Sequence, residues 1–241
     1  MRLVSLSHPI HVSRRPAPQV RVPDTGAEAL RLGIVGAGKL GTTVARAAIA
    51  AGYDVAISGS GTAERIALTV DVLAQGARAV TTAEVVRDAD LILLAVPMHR
   101  FRELPHDLFD GKILIDAMNY WEPIDGSDEE LTAAPAGSSL VVQAWFPLAR
   151  VVKSLNQLGY HEFDEGRLPR GAPDRIAMAA AGDDRAAVRA VLQLIDRLGF
   201  DAVEAGPLTA GMALGPGGPA FGLGASAEDL SRLLSPVALS A

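Results

Sequence analysis

The stretch RLGIVGAGKLG, residues 31–41, constrains this chain more than any other part of it. An apolar run ends on Gly36, and Gly36, Gly38 and Gly41 follow the pattern G-x-G-x-x-G as a helical segment opens. Each glycine has its own physical task. The first permits a tight turn, the second lets a pyrophosphate approach the backbone, and the third lets the helix pack closely on the strand. The helix N-terminus then offers free N–H groups and a favourable dipole to an anion. With 24 glycines among 241 residues the pattern alone is weak, and its strand-to-helix setting is what gives it weight. The plainer alternative is a structural turn that binds nothing.

Past Gly38 the chain keeps a strand–helix cadence. Leu40–Ala51 predicts a helix closed by Gly52, Tyr53–Ser58 a strand, and Ala63–Gln75 a second helix. A short strand over Ala77–Val80 precedes a helical turn running from Thr81 or Thr82 to Arg87. ADLILLAVP, Ala89–Pro97, is apolar on both faces, as a central parallel strand should be, and KILID, Lys112–Asp116, repeats that character. The cadence predicts an α/β fold, a Rossmann-type doubly wound parallel sheet over residues 31–149. Residues 150–222 predict a small β-α-β C-terminal lobe: a strand beginning at Ala149, irregular chain over Tyr160–Pro173, a strand at Asp174–Ala180, an amphipathic helix at Asp183–Leu198, and a strand at Phe200–Glu204. Residues 1–30, broken by Pro16, Pro18 and Pro23, read as a flexible leader with a short strand near Leu3–Leu6. Residues 223–241 read as a tail with a short helix near Ala225–Leu234.

The totals exclude several functions. A formal net charge of −6 with no local basic cluster argues against nucleic acid. The absence of cysteine removes disulfides, thiolate metal sites and cysteine nucleophiles. No apolar run is long enough to span a bilayer, and Arg14-Arg15 is not followed by the apolar segment of an export signal. The expectation is a soluble cytoplasmic protein with a small-molecule partner, no membrane and no metal. The acidic stretch EPIDGSDEE, Glu122–Glu130, reads as a solvated loop.

The second strand decides which nucleotide is expected. Its C-terminal end lies about twenty residues past the phosphate turn, where an NAD site places a carboxylate for the ribose 2′-OH. Asp54 stands at the wrong end of that strand, and the chain offers Ser58, Gly59 and Ser60 instead, with Arg65 one helical turn further on. Hydroxyls, N–H groups and a guanidinium suit a 2′-phosphate that a carboxylate would repel. This points to NADP(H). Two further strand ends reach the same edge of the sheet. One is Ala95–Arg100, with Pro97 and Met98. The other is Asp116–Tyr120, where Asn119 can hydrogen-bond a carboxamide. His99 is the nearest proton donor there, although an exposed surface histidine is the plainer reading. No acid/base constellation emerges, so no catalytic residue is assigned. Hydride transfer between two organic cofactors needs alignment more than acid/base groups.

Taken in order, GIVGAGKLG, VAISGS, LAVP, IDAMNYW, ARVVKSLNQLG, AGDD and DAVEAGPL resemble the NADPH-dependent coenzyme F420 reductases, also called F420H2:NADP oxidoreductases, from about Leu32 to Phe221. The resemblance implies an NADP-dependent oxidoreductase with coenzyme F420, a deazaflavin, as second substrate in a cleft between domain and lobe. It implies that Gly36, Ala37, Gly38, Lys39, Leu40 and Gly41 hold the pyrophosphate, and Ser58, Gly59 and Ser60 the 2′-phosphate. It also implies that Val96, Pro97, Met98, Ala117 and Asn119 border the nicotinamide riboside, and that Asn156 and Leu158 face the deazaflavin. Many relatives carry an arginine where this chain has Gly61, and a stretch like GRRLEPG where it has GMALGPG, Gly211–Gly217. Arg65 is then the candidate replacement for the first of those cations. The apolar lobe is large enough to support a homodimer. The competing readings are a catalytically silent NADPH-binding sensor or scaffold, and an imine or pyrroline-carboxylate reductase. The latter generally needs a long helical C-terminal domain in place of β-α-β.

Overall fold

The computed structural model of the chain describes residues 30–134 and 137–235; the leader and its expected strand near Leu3–Leu6 lie outside them. Strand β1 (Arg31–Val35), helix α1 (Lys39–Ala50), strand β2 (Asp54–Ser58), helix α2 (Glu64–Leu73), strand β3 (Arg78–Ala79), helix α3 (Thr82–Asp88) and strand β4 (Leu91–Leu94) follow the predicted cadence. Two 3-10 turns, Met98–Glu103 and His106–Phe109, lead to β5 (Ile113–Asp116). Then come α4 (Glu122–Asp125), α5 (Glu129–Thr132), α6 (Ser138–Trp145) and β6 (Arg150–Lys153). The remainder is α7 (Tyr160–Glu165), β7 (Ala177–Gly182), α8 (Arg185–Leu198), β8 (Asp201–Gly206) and α9 (Ala227–Leu233).

The eight strands among the described residues form one sheet, ordered β3-β2-β1-β4-β5-β6-β7-β8. Every neighbouring pair is parallel except β6 and β7, which meet antiparallel at Val152–Gly182 and Lys153–Ala181. The predicted boundary at residue 150 therefore falls on a strand common to both halves: β6 pairs along its whole length with β5, and β7-α8-β8 extends the same sheet. The strand order reverses between β1 and β4, the switch point at which open α/β sheets bind ligands.

Strands β4 and β5 are buried at every position because helices cover both faces of the sheet. Residues of α1 and α8 pack on one face, while those of α3, α6 and the 3-10 turns pack on the other. Helix α8 is fixed at both ends by local chemistry. The Asp184 side chain accepts from Ala187 N, and Gly199 closes the helix in the left-handed conformation. Two stretches are more ordered than their composition suggests. Within the irregular Tyr160–Pro173, α7 is anchored by the Phe163 ring, 4.9 Å from Phe200, and by Arg46 of α1, which pairs with Asp164. Within the acidic stretch, Asp128 caps α5 by accepting from Leu131 N. No described helix is long and apolar enough to cross a membrane.

Candidate functional site: a phosphate turn and the strand ends beside it

The turn between β1 and α1 is built almost entirely from backbone. Gly36 has φ +125°, and a Cβ there would lie 2.3 Å from the Ala95 carbonyl oxygen, so only glycine lets β1 pass the end of β4. A Cβ at Gly41 would lie 1.9 Å from the Gly36 carbonyl oxygen, so helix and turn touch backbone to backbone. Gly38 differs: a Cβ there would meet nothing within 4 Å. The space a side chain would fill is left open above the N-cap of α1. No side chain caps that helix, and its first turn carries no acid, so its N-terminal field is not neutralised. Lys39 turns its side chain to α7, with Nζ 3.0 Å from the Tyr160 hydroxyl, and Leu40 packs against the core. These two residues therefore offer main chain rather than side chain to an anion.

A cleft of about 560 Å³ opens over this turn. Gly36, Ala37 and Gly38 form its floor, and Gly59, Ser60 and Gly61 one wall. Val96 and Pro97 lie at the end of β4, while Thr82, Ala83, Leu104, Pro105, Leu108 and the ion-paired Arg100 and Glu103 close the far side. Ser58 is buried, and its Oγ accepts a 3.1 Å hydrogen bond from the Thr82 hydroxyl, which ties the start of α3 to the end of β2. Asp54, at the other end of β2, pairs with Arg78 at 3.2 Å, far from any ribose. Gly61 takes φ +92°, and Arg65 folds over it, with Cδ and Nη1 each 3.2 Å from where a Gly61 Cβ would be. Arg65 is exposed and has no ion-pair partner among the described residues. Its guanidinium thus lies against the Gly61 turn.

At the ends of β5 and β6 side chains take over. Asp116 and Lys153 face each other in register and are almost wholly buried. Asp116 Oδ1 accepts from Met118 N at 3.0 Å, and its Oδ2 accepts from the Ser139 hydroxyl at 2.7 Å and lies 3.5 Å from Lys153 Nζ. Lys153 also donates to the Met118 carbonyl, so this pair holds both backbone groups of Met118. Burial pushes the Lys153 ammonium below its usual pKa, against the opposing pull of Asp116. Asn119 and Asn156 bond reciprocally: Asn119 Nδ2 donates to the Asn156 carbonyl, and Asn156 Nδ2 to Asn119 Oδ1, both at 3.0 Å. Asn156 Nδ2 also donates to the Leu214 carbonyl at 2.8 Å, while Asn156 Oδ1 is buried without a partner.

Not every expected residue lines the space. Met98, Ala117 and Leu158 are buried in the core, 1%, 3% and 7% exposed, because apolar residues at strand ends pack under the flanking helices. His99 Nδ1 lies 2.9 Å from Asp125 Oδ1, within hydrogen-bond distance of a carboxylate that also accepts from Trp121 N. Sequence reasoning missed Thr82, Ala83, Leu104, Pro105 and Leu108, which sit at a helix start and in 3-10 turns with no periodic signal. It also missed the Asp116–Lys153 pair. Its trace was present in two apolar strands, ILID and RVVK, that end on opposite charges.

Residues 31–120 match the family model described as NADP oxidoreductase coenzyme F420-dependent. Over this stretch the chain is similar to that family. The fold agrees. A crystal structure of a hypothetical protein from Sinorhizobium meliloti superposes with a TM-score of 0.70 at 26% identity, covering 80% of this chain and 94% of that one. A structure titled as a candidate F420-dependent NADP-reductase from Arthrobacter sp. FB24 superposes at 0.60 with 22% identity, covering 76% and 87%. YjhV of Escherichia coli is 38% identical over 58 residues, a match spanning 24% of this chain and 42% of that protein.

Proposed function

We propose that the protein is an NADP(H)-dependent oxidoreductase that passes a hydride between NADP(H) and a deazaflavin-type acceptor such as coenzyme F420. The observation that carries this is the open cradle over Gly38 beside a wall of Gly59, Ser60 and Gly61, over which Arg65 folds. The N–H groups at the start of α1 would hold the pyrophosphate, and Ser60, Gly59 and Arg65 the 2′-phosphate. Val96 and Pro97 would border the nicotinamide riboside, with Asn119 as the amide nearest its carboxamide. Asn156, with its unpartnered Oδ1, would address the acceptor. Ser58, Met98, Ala117 and Leu158 support the site from beneath.

When bound, NADPH supplies a hydride from nicotinamide C4 to deazaflavin C5, the ring taking its balancing proton at N1 from water and NADP+ remaining. The chain's contribution is to align the two rings and exclude water, for which no acid/base residue is required. A cytoplasmic homodimer is the expected form. Two titrations test the reading. NADPH should bind at least tenfold more tightly than NADH, as followed by nicotinamide fluorescence. Mixing protein, NADPH and oxidised F420 should bleach the deazaflavin absorbance. Equal binding of NADH would overturn the nucleotide assignment, and NADPH binding without turnover would leave a sensor or scaffold.

A further inference from the structure

Where the acceptor would sit, the rim is apolar and acidic. Trp121, just beyond the end of β5, is 45% exposed and meets the Phe221 ring edge-on at 5.9 Å. Phe221 is brought there by the segment crossing the end of β6, which is tied down by the bonds from Asn156 Nδ2 to the Leu214 carbonyl and from Gly222 N to the Gln157 carbonyl. Ile124 and Leu223, near these rings in the chain, are also exposed apolar residues. No Lys, Arg or His occurs in residues 113–149, 154–160 or 201–231, the stretches that build this edge. The basic side chains beside it are engaged: Lys153 is buried with Asp116, the His99 ring meets Asp125, Lys39 lies against Tyr160, Arg100 pairs with Glu103, and Arg102 pairs with Asp128 and Glu130. Glu122, beside Trp121, is exposed and has no ion-pair partner among the described residues.

Aromatic edges suit a planar conjugated ring, whereas an anionic substituent needs an arginine or lysine to replace its lost hydration. We infer that this edge recognises its acceptor through a neutral planar ring alone, with no recognition of an anionic tail. This rests on the hydride-transfer reading and narrows it: the acceptor is selected by its conjugated ring, and an anionic tail such as that of F420 gains no contact at this edge.

The matched probes are 5-deazariboflavin and its 5′-phosphate, which differ only in the tail. Each is titrated into the full-length protein saturated with NADP+, following quenching of tryptophan emission. A Trp121→Phe control separates the rim signal from that of Trp145. The uncharged compound should bind at least as tightly as its phosphate, and its KM for reduction by NADPH should be no higher. Glu122→Lys should shift the preference several-fold toward the phosphate, as a charge effect would and a packing effect would not. Tenfold tighter binding of the phosphate by the native chain would overturn the inference, and so would the absence of Trp121-dependent quenching by either compound. Ring-selective quenching without reduction would uphold the inference and remove the hydride-transfer reading instead.

Discussion

At the phosphate turn, residues 36–41, the site is shaped by backbone, and strain is avoided because glycine occupies the positions that need it. At the ends of β5 and β6 the chain uses side chains and accepts strain. Leu155 holds φ +60°, a conformation costing roughly 1–3 kcal/mol for a residue with a side chain. Asn156 Oδ1 and Gln157 Nε2 are buried without partners, each costing about 1–3 kcal/mol when unmatched. An anion common to every dinucleotide can be met by a fixed backbone cradle. On the proposed function, a second ring would be positioned by groups particular to this chain, and the polar groups at these strand ends are buried. The contrast predicts opposite behaviour on mutation: glycine changes should separate folding from binding, and strand-end changes should not.

The largest effect is expected at Lys153. Lys153→Met leaves Asp116 buried beside only Ser139 and Met118 N, and breaking such a pair costs about 3–5 kcal/mol. Chemical denaturation should register that loss, and the Lys153→Met, Asp116→Asn double variant should lose less than the sum of the singles. A single-variant loss below about 1 kcal/mol would mean the 3.5 Å contact is incidental. Gly41→Ala forces a methyl into the Gly36 carbonyl and should cost about 1–3 kcal/mol of stability. Gly38→Ala sharpens the contrast. Its methyl meets only open space, so stability should stay within about 0.5 kcal/mol while NADPH affinity falls about tenfold or more. Matching losses at both glycines would return the motif to a purely structural turn.

Smaller again is the effect at Arg65. Because the guanidinium is exposed, its attraction for a 2′-phosphate is screened by salt, and Arg65→Ala should weaken NADPH binding by about tenfold or less. NADH binding should not change, and the difference should shrink as ionic strength rises. A similar loss for both nucleotides would show that Arg65 supports the Gly61 turn rather than reading the phosphate.

The turn was legible in the sequence because its constraints are local. Three glycines within six residues, an apolar strand before them and a helix after them all lie within one span of chain. The alternation of strands and helices from β1 to β4 was legible for the same reason. The strand-end network was not, because Asp116 and Lys153 lie 37 residues apart and are opposed only once β5 and β6 pair in register. The single sheet was obscured likewise: β6 reads as the start of a lobe until its partner β5 is known. Met98 and Leu158 show a third limit. An apolar residue at a strand end can line a cleft or pack beneath it, and here the flanking helices draw both into the core.

The smallest effect tests how the strand-end rim is held. Asp125 accepts hydrogen bonds from the backbone N–H groups of Trp121 and His99 and faces the His99 ring. Burial pushes its carboxyl pKa up, but these donors and the neighbouring imidazole together hold it below the usual carboxylate value. A carboxylate whose folded pKa is depressed contributes stability above its unfolded pKa, near about 3.9, and loses that contribution as pH falls through the folded value. Asp125→Asn removes the charge and keeps an acceptor for only one of the two N–H groups, because His99 N and Trp121 N bond different carboxylate oxygens. The native chain should therefore be the more stable at neutral pH, and its advantage over Asp125→Asn should vanish on acidification below about pH 4. Denaturant midpoints for the two proteins across that range measure this directly. A difference that stays constant with pH would show that shape alone, and not the Asp125 charge, fixes the loop carrying Trp121.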